Sequence, residues 1–292
     1  MNIRVSVIIP TYNRGPIIKD TLDSIIAQTY SDWECIVVDD FSLDNTSQIL
    51  EEYVGKDSRF KVVVNKFSKG APGARNTGVE IATGEFICFF DSDDVMYPNH
   101  LESKMLIASQ YPNVGVFTSY SHLLNENSDI IGSFNYNSEG NIFNDLLLEK
   151  TYVDTNSALI RKSTLTESIR WDEKCPSYQE WDFHLQLSKL TTYKTVPEYL
   201  SGYYRRTQGT ISSDAIRTIH GRWFVFMKYR EDMLMEFDKS VYEHQFLRNL
   251  KESVKVGFDP LEHFEFDVED IQLIRNYRSL NSRSWFQRIF KL

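Results

Sequence analysis

Three carboxylates, Asp91, Asp93 and Asp94, fall within four positions of the stretch DSDD, directly after the apolar run FICFF. Held about 4 Å apart at an effective dielectric near 20, each pair repels by up to about 4 kcal/mol, so a site that gathers them wants a cation. An all-oxygen donor set suits Mg or Mn. The plainer reading is a set of water-facing caps for the next helix. Two further polar groups weigh against it: PTYNR (10–14) and the pair Asp39–Asp40 also close apolar runs, VSVII and WECIVV. In open α/β sheets the ligand crevice lies at the carboxyl ends of the strands, and all three groups then share one edge.

The elements that must hold this edge are legible in the pattern. RVSVII (4–9), WECIVV (33–38), FKVVV (60–64) and FICFF (86–90) read as strands. Between them, residues 16–29 carry Ile17, Ile18, Leu22, Ile25 and Ile26 at helical spacing behind Pro16. Asp44 to about Val54 places Ile49, Leu50, Tyr53 and Val54 on one face, and GARNTGVEIATG reads as a short helix closed by Gly84. Apolar strands alternating with helices predict a parallel sheet covered on both faces. Further strands are expected at VGVFTSY, SALIR and KTVPEYLSGYYRR, with a helix from about Glu180 and a helical region from roughly residue 213.

Composition narrows the function classes. At 292 residues with 41% hydrophobic content the chain can bury a full core. Its longest apolar runs reach about five residues, against roughly 18 for a membrane span. No apolar leader precedes the first strand, so a cytoplasmic location is expected. Cys35 and Cys88 sit inside strand-like runs, where cysteine acts as a small hydrophobe; with Cys175 they suggest neither a disulfide framework nor a thiolate metal site. A formal charge of −9 disfavours nucleic acid as partner.

VSVIIPTYNR, VVDDFSLDNT, GAPGARNTG and FICFFDSDD, in this order and approximate spacing, resemble glycosyltransferase family 2 over roughly residues 4–210. The resemblance implies an inverting enzyme of the GT-A fold: an α/β domain over residues 1–212 with a doubly wound, mostly parallel sheet, followed by a C-terminal helical extension over 213–292. It also implies a nucleotide-diphospho-sugar donor, commonly a UDP-sugar. The acceptor implied is a glycan or lipid-linked glycan of bacterial surface-polysaccharide assembly. By position, Thr11 and Asp39 would hold the base, Arg75 would lie near the nucleotide, and Asp91, Ser92 and Asp93 would form the DXD element, with Asp91 at the ribose and Asp93, aided by Asp91, on a Mn or Mg ion. Asp94 is a candidate on the acceptor side or in support of that element.

Transfer from a diphosphate leaves negative charge on the departing oxygens, which a divalent cation offsets, while the attacking hydroxyl must lose a proton to a general base. SYQEWDFHLQL (177–187) resembles the family's acidic stretch that supplies this base, with Glu180 at the position of the usual Asp. Asp182 lies about 200° further round the helix, so the two carboxylates cannot enter one cleft. His184, one turn after Glu180, is a candidate acceptor contact, whereas Trp181, Leu185 and Leu187 read as core. A carboxylate in a first helical turn is also what the helix dipole favours without any chemistry. YYRRTQGTIS resembles the segment that closes over the donor diphosphate, which makes Arg205 and Arg206 phosphate candidates.

Rival classes fit less well. A response-regulator receiver would carry its acidic pair after the first strand, and a Rossmann dehydrogenase needs a glycine fingerprint there, which TYNRGP lacks. HGRW (220–223) matches a processive-polymerase signature only superficially. A non-catalytic nucleotide-sugar-binding relative shares every motif and differs only in turnover. The last 17 residues form a separate feature: Arg278, Arg283, Arg288 and Lys291 with no carboxylate divide the chain's −9 into +4 here and −13 elsewhere. Trp285, Phe286, Ile289, Phe290 and Leu292 share one helical arc, the layout of an interfacial helix on the inner face of an anionic membrane. Packing on the protein itself or across a homodimer would use the same face.

Overall fold

The computed structural model describes residues 4–205 and 214–280. Its first elements are β1 (Val5–Thr11), α1 (Ile18–Ile26), β2 (Trp33–Asp39), α2 (Thr46–Lys56), β3 (Phe60–Val64), α3 (Ala71–Ile81) and β4 (Phe86–Phe89). β5 (Val95–Met96), α4 (His100–Gln110), β6 (Val116–Leu124), β7 (Ile130–Phe134), α5 (Phe143–Leu147), β8 (Leu159–Arg161), α6 (Gln179–Ser188) and β9 (Tyr193–Tyr204) follow. The chain then continues as α7 (Ala215–Lys228), α8 (Arg230–Glu236), α9 (Lys239–Val256) and α10 (Val268–Leu280).

The strands form one sheet in the order β3-β2-β1-β4-β8-β6-β9-β5, with β7 added to β6. β1 pairs in parallel with β2 and β4, and β2 with β3. Beyond β4 the directions mix: β8 is antiparallel to β4 and β6, whereas β6 and β9 run parallel. Every residue of β1, β2 and β4 is buried, which accounts for their mainly apolar sequence. The edge strand β3 exposes Lys61, Val62 and Val64. Strand order reverses around β1, so Thr11, Asp39 and the residues after Phe89 end on one sheet edge.

Gly84 does not close a helix. α3 stops at Ile81, and a Cβ on Gly84 would lie 2.6 Å from the Ser6 nitrogen, so glycine is required there by the close approach of β1. Beneath this contact, Glu34 is buried within β2 and accepts hydrogen bonds from Ser6 Oγ (2.6 Å), Lys61 Nζ (2.7 Å), and Thr83 N and Oγ1 (2.7 Å each). Burial pushes this carboxyl up, but the bonds from Lys61, Ser6 and Thr83 outweigh it and hold it at about 2. A lowered folded value stabilises the protein above the unfolded pKa near 4.5 and is lost as pH falls toward 2. Glu34→Gln is therefore expected to cost about 1–3 kcal/mol in urea unfolding at pH 7. The loss should shrink below pH 4.5; a pH-independent difference would refute the charge-based account.

The chain up to Glu173, resuming at Glu180, forms one compact unit, and Lys174–Gln179 joins α7–α10 in a second. The short segment within the expected first domain thus belongs with the helices, where Ser177 Oγ donates to the Arg217 carbonyl (3.1 Å). The helical unit is built on aromatics: Trp223 packs edge to face on Phe246 (5.1 Å) and donates from Nε1 to Ser253 Oγ (2.7 Å). HGRW is structural, since Trp223 is fully buried and His220 packs on Phe258 and His263. Of the basic tail, Arg278 lies in α10 and pairs with Asp259 (2.9 Å). Arg283, Arg288, Lys291 and the aromatics beside them lie outside the described residues, as does Arg206. All three cysteines are buried. Among the described residues no helix is long and apolar enough to cross a membrane.

Candidate active site

At the end of β1, the Thr11 hydroxyl is buried and finds no hydrogen-bond partner among the described residues. The next ring, Tyr12, is 39% exposed with Lys69 Nζ 4.2 Å above it. Asp39 closes β2 and accepts from Ser42 N (3.1 Å) and Ser47 Oγ (3.3 Å). Its neighbour Asp40 is a structural anchor: it accepts from Asn65 Nδ2 (2.7 Å) and Gly70 N (2.8 Å), fixing the loop that leads into α3.

α3 carries Arg75 inward. Its guanidinium lies 4.3 Å above the Trp171 ring and donates to Asp91 Oδ1 at 2.8 Å. Asp93 is half-buried and faces Arg14 (3.3 Å), while Ser92 is buried between the two acids. Asp94 turns inward: it accepts from Asn156 Nδ2 (2.6 Å) and from the Tyr204 backbone nitrogen (2.8 Å). Burial, then the charges of Asp93 and Asp91, push its carboxyl well above the usual range. Asn156 also accepts from Asp91 N (2.8 Å), so one amide clamps both ends of DSDD. Asp94 is accordingly an internal brace between the DSDD stretch and the end of β9, and of the two roles expected for it its burial fits support of that element and not the acceptor side.

The 152–157 segment, which carries no motif, supplies most of what pattern reading missed. Asp154 accepts from Ser157 N (2.8 Å) and Ser121 Oγ (3.1 Å), and burial pushes its carboxyl up to about 6 against the pull of Ser121 and Lys104. Lys104 is itself fully buried, donates to the Ser157 carbonyl (2.6 Å) and meets His100 Nε2 (2.8 Å); burial lowers it to about 8. The only sequence trace of this support is a polar run, YVDTNS, directly ahead of the apolar ALI.

Glu180 lies half-buried in the first turn of α6 and accepts a hydrogen bond from the Tyr152 hydroxyl. Asp182 is fully buried and accepts from Gln186 Nε2 (2.9 Å), so it does not face the cleft. His184 is also corrected: it is buried, with Nδ1 3.1 Å from the Tyr193 hydroxyl, and burial lowers it to about 3. Helical spacing places it on the Glu180 face, but Tyr193 of β9 covers it. Trp181, Leu185 and Leu187 are core. Arg205 follows β9 with its backbone donating to Leu124 O (2.8 Å) and its side chain exposed.

Burial raises the phenol of Tyr203 in β9, and the charges of Asp94, Asp91, Asp93 and Glu180 raise it further. The metal question turns on the donor set. Asp91 faces Arg75 and Asp93 faces Arg14, so two carboxylates stand together just beyond β4. No three ligating side chains gather among the described residues. One or two carboxylates, completed by substrate phosphates, is the share that a protein contributes to Mg or Mn, and the residues present fit it.

A family model described as "Glycosyl transferase family 2" matches residues 6–166. The chain is 32% identical over 233 residues to the UDP-Glc:alpha-D-GlcNAc-diphosphoundecaprenol beta-1,3-glucosyltransferase WfgD of Escherichia coli, covering 79% of this chain and 88% of the relative. It is 31% identical over 255 residues to TuaG of Bacillus subtilis, a glycosyltransferase named for teichuronic acid biosynthesis, covering 86% and 96%. Among solved structures, S. aureus TarS 1–349 in complex with UDP-GlcNAc superposes with a TM-score of 0.67 at 20% identity, covering 98% of this chain and 82% of that one. The mannosyltransferase PcManGT of Pyrobaculum calidifontis, solved with GDP-Man and Mn2+, gives 0.62 at 18%, covering 99% and 84%. These likenesses identify the sheet and its helices as the GT-A fold. With its motifs in order at one sheet edge, the chain belongs to glycosyltransferase family 2 and is a glycosyltransferase.

Proposed function

We propose that the protein moves a sugar from a UDP-sugar to a hydroxyl of a lipid-linked glycan, with inversion at the anomeric carbon and Glu180 as general base. The observation that carries this reading is the 152–156 segment, which bonds Glu180 through the Tyr152 hydroxyl and both ends of DSDD through the Asn156 amide. A donor held at DSDD thereby presents its sugar toward Glu180. The unpartnered Thr11 hydroxyl and Asp39 take polar edges of the base, and the exposed Tyr12 ring offers it a face. Asp91, held by Arg75, meets the ribose, with Ser92 between the acids. Asp93 would hold Mn or Mg, with Asp91 nearby, and such an ion offsets charge on the departing diphosphate. Arg205, exposed at the end of β9, adds a cation for the phosphates.

Glu180 removes the proton from the acceptor hydroxyl as that oxygen bonds to the anomeric carbon and the bond to the diphosphate breaks. Attack from the face opposite the leaving group inverts the centre. The acceptor class follows from the likeness to WfgD, whose name specifies a GlcNAc-diphospholipid.

The test is thermal unfolding with UDP-glucose, UDP-GlcNAc, UDP-galactose and GDP-mannose, each with and without Mn, followed by turnover onto a short-chain GlcNAc-diphospholipid. A UDP-sugar should raise Tm only with the metal, by mass action on the folded state. The product's anomeric proton coupling should report inversion. Stabilisation by GDP-mannose alone, or a retained anomer, would overturn the reading.

A further inference from the structure

Glu180 is embedded in an aromatic wall that no motif marks. Tyr152, whose hydroxyl donates to Glu180 Oε1, meets the Tyr136 ring edge to face, with centroids 6.2 Å apart and planes at 67°. Tyr136 is 48% exposed. Beside it Tyr203 meets Phe134 at 6.3 Å and 88°, and Phe134 is 37% exposed. Phe134 ends β7, which pairs with β6, and Tyr136 lies in the irregular segment after it, whereas the base comes from α6. Burial, then the charge of Glu180, keep the Tyr152 phenol well above its usual range, so it remains a proton-bearing donor throughout the working pH.

Sugars present two kinds of surface, C–H faces that suit aromatic rings and hydroxyl rims that need placed polar groups; a site lined by rings around a few polar atoms suits both. A glutamate left to itself samples several staggered conformers, and fixing one in advance removes an entropy cost from the reaction. We propose that Tyr136 and Tyr152 form the acceptor subsite: the exposed Tyr136 ring takes the face of the acceptor's terminal pyranose, and Tyr152 acts as a positioning residue that occupies Oε1 of Glu180 and turns Oε2 toward the incoming hydroxyl. The inference rests on Glu180 being the base and adds to it the ring that selects a glycan acceptor.

Steady-state transfer from UDP-glucose to a short-chain GlcNAc-diphospholipid, with UDP affinity measured separately by calorimetry in Mn, separates the roles. Tyr152→Phe keeps the ring and should lower kcat by about 10- to 100-fold with acceptor KM within about twofold. Tyr136→Ala should raise acceptor KM by about 5- to 20-fold with kcat within about threefold. Tyr136→Trp, which restores a flat face, should recover most of that loss. UDP affinity should be unchanged in all three, which a general structural role would not allow. An unchanged kcat in Tyr152→Phe overturns the positioning role, and an unchanged acceptor KM in Tyr136→Ala overturns the subsite. Glu180→Gln, run alongside, isolates the assignment beneath: full activity there removes the base and not the ring.

Discussion

Replacing Glu180 by glutamine lowers kcat by about 100-fold or more while UDP-sugar affinity stays within about twofold of wild type. The amide retains the size of the carboxylate and can still accept the bond from Tyr152, but it cannot take a proton from the attacking hydroxyl. With the donor held, as proposed, at the ends of β1, β2 and β4, its affinity is expected to be insulated from α6. Asp182→Asn provides the contrast. That carboxylate is fully buried and accepts from Gln186, so its loss should lower thermal stability and leave the kcat of the folded fraction within about threefold. Calorimetry and single-turnover transfer read the two quantities separately. A large loss of kcat in Asp182→Asn with none in Glu180→Gln would move the base to the wrong side of the helix for this structure.

Asp93→Ala removes the Mn-dependent part of UDP affinity, an expected loss of about 10- to 100-fold or more in Kd. Without metal the two proteins should bind UDP about equally, because Asp93 is proposed to reach the donor only through the ion and faces Arg14 within the protein. Stability should change little, since Asp93 is half-buried and its partner Arg14 lies near solvent. Asp94→Ala should behave in the opposite manner. It strips the acceptor from Asn156 Nδ2 and from the Tyr204 nitrogen, both buried or part-buried, and should destabilise the protein by about 2–4 kcal/mol whether or not metal is present. Titration calorimetry across Mn concentrations, paired with urea unfolding, distinguishes the two. Equal UDP affinity with Mn in Asp93→Ala and wild type would sink the assignment of the second acid of DSDD to the ion.

The sequence by itself determined the strand and helix order through β4, the shared edge of Thr11, Asp39 and Asp91–Asp94, and the placement of Glu180 on a first helical turn. These features are local. A fully buried strand writes itself as an unbroken apolar run, and a residue that ends such a run ends the strand. Periodicity also separated Glu180 from Asp182, because two positions on a helix are about 200° apart whatever surrounds it. It could not show that His184, on the favoured face, would be covered by Tyr193 from a strand that follows it. Nor could it show that Asp94 would be drawn inward by Asn156, 62 positions away, and by Tyr204, 110 positions away. The Asn156 clamp on DSDD and the Tyr152 contact to Glu180 likewise join residues 62 and 28 positions apart, which no short window contains. Chain-local pattern dictates where a side chain leaves the backbone. Whether it then meets solvent, a ligand or another strand is decided by neighbours that only the folded sheet brings into contact.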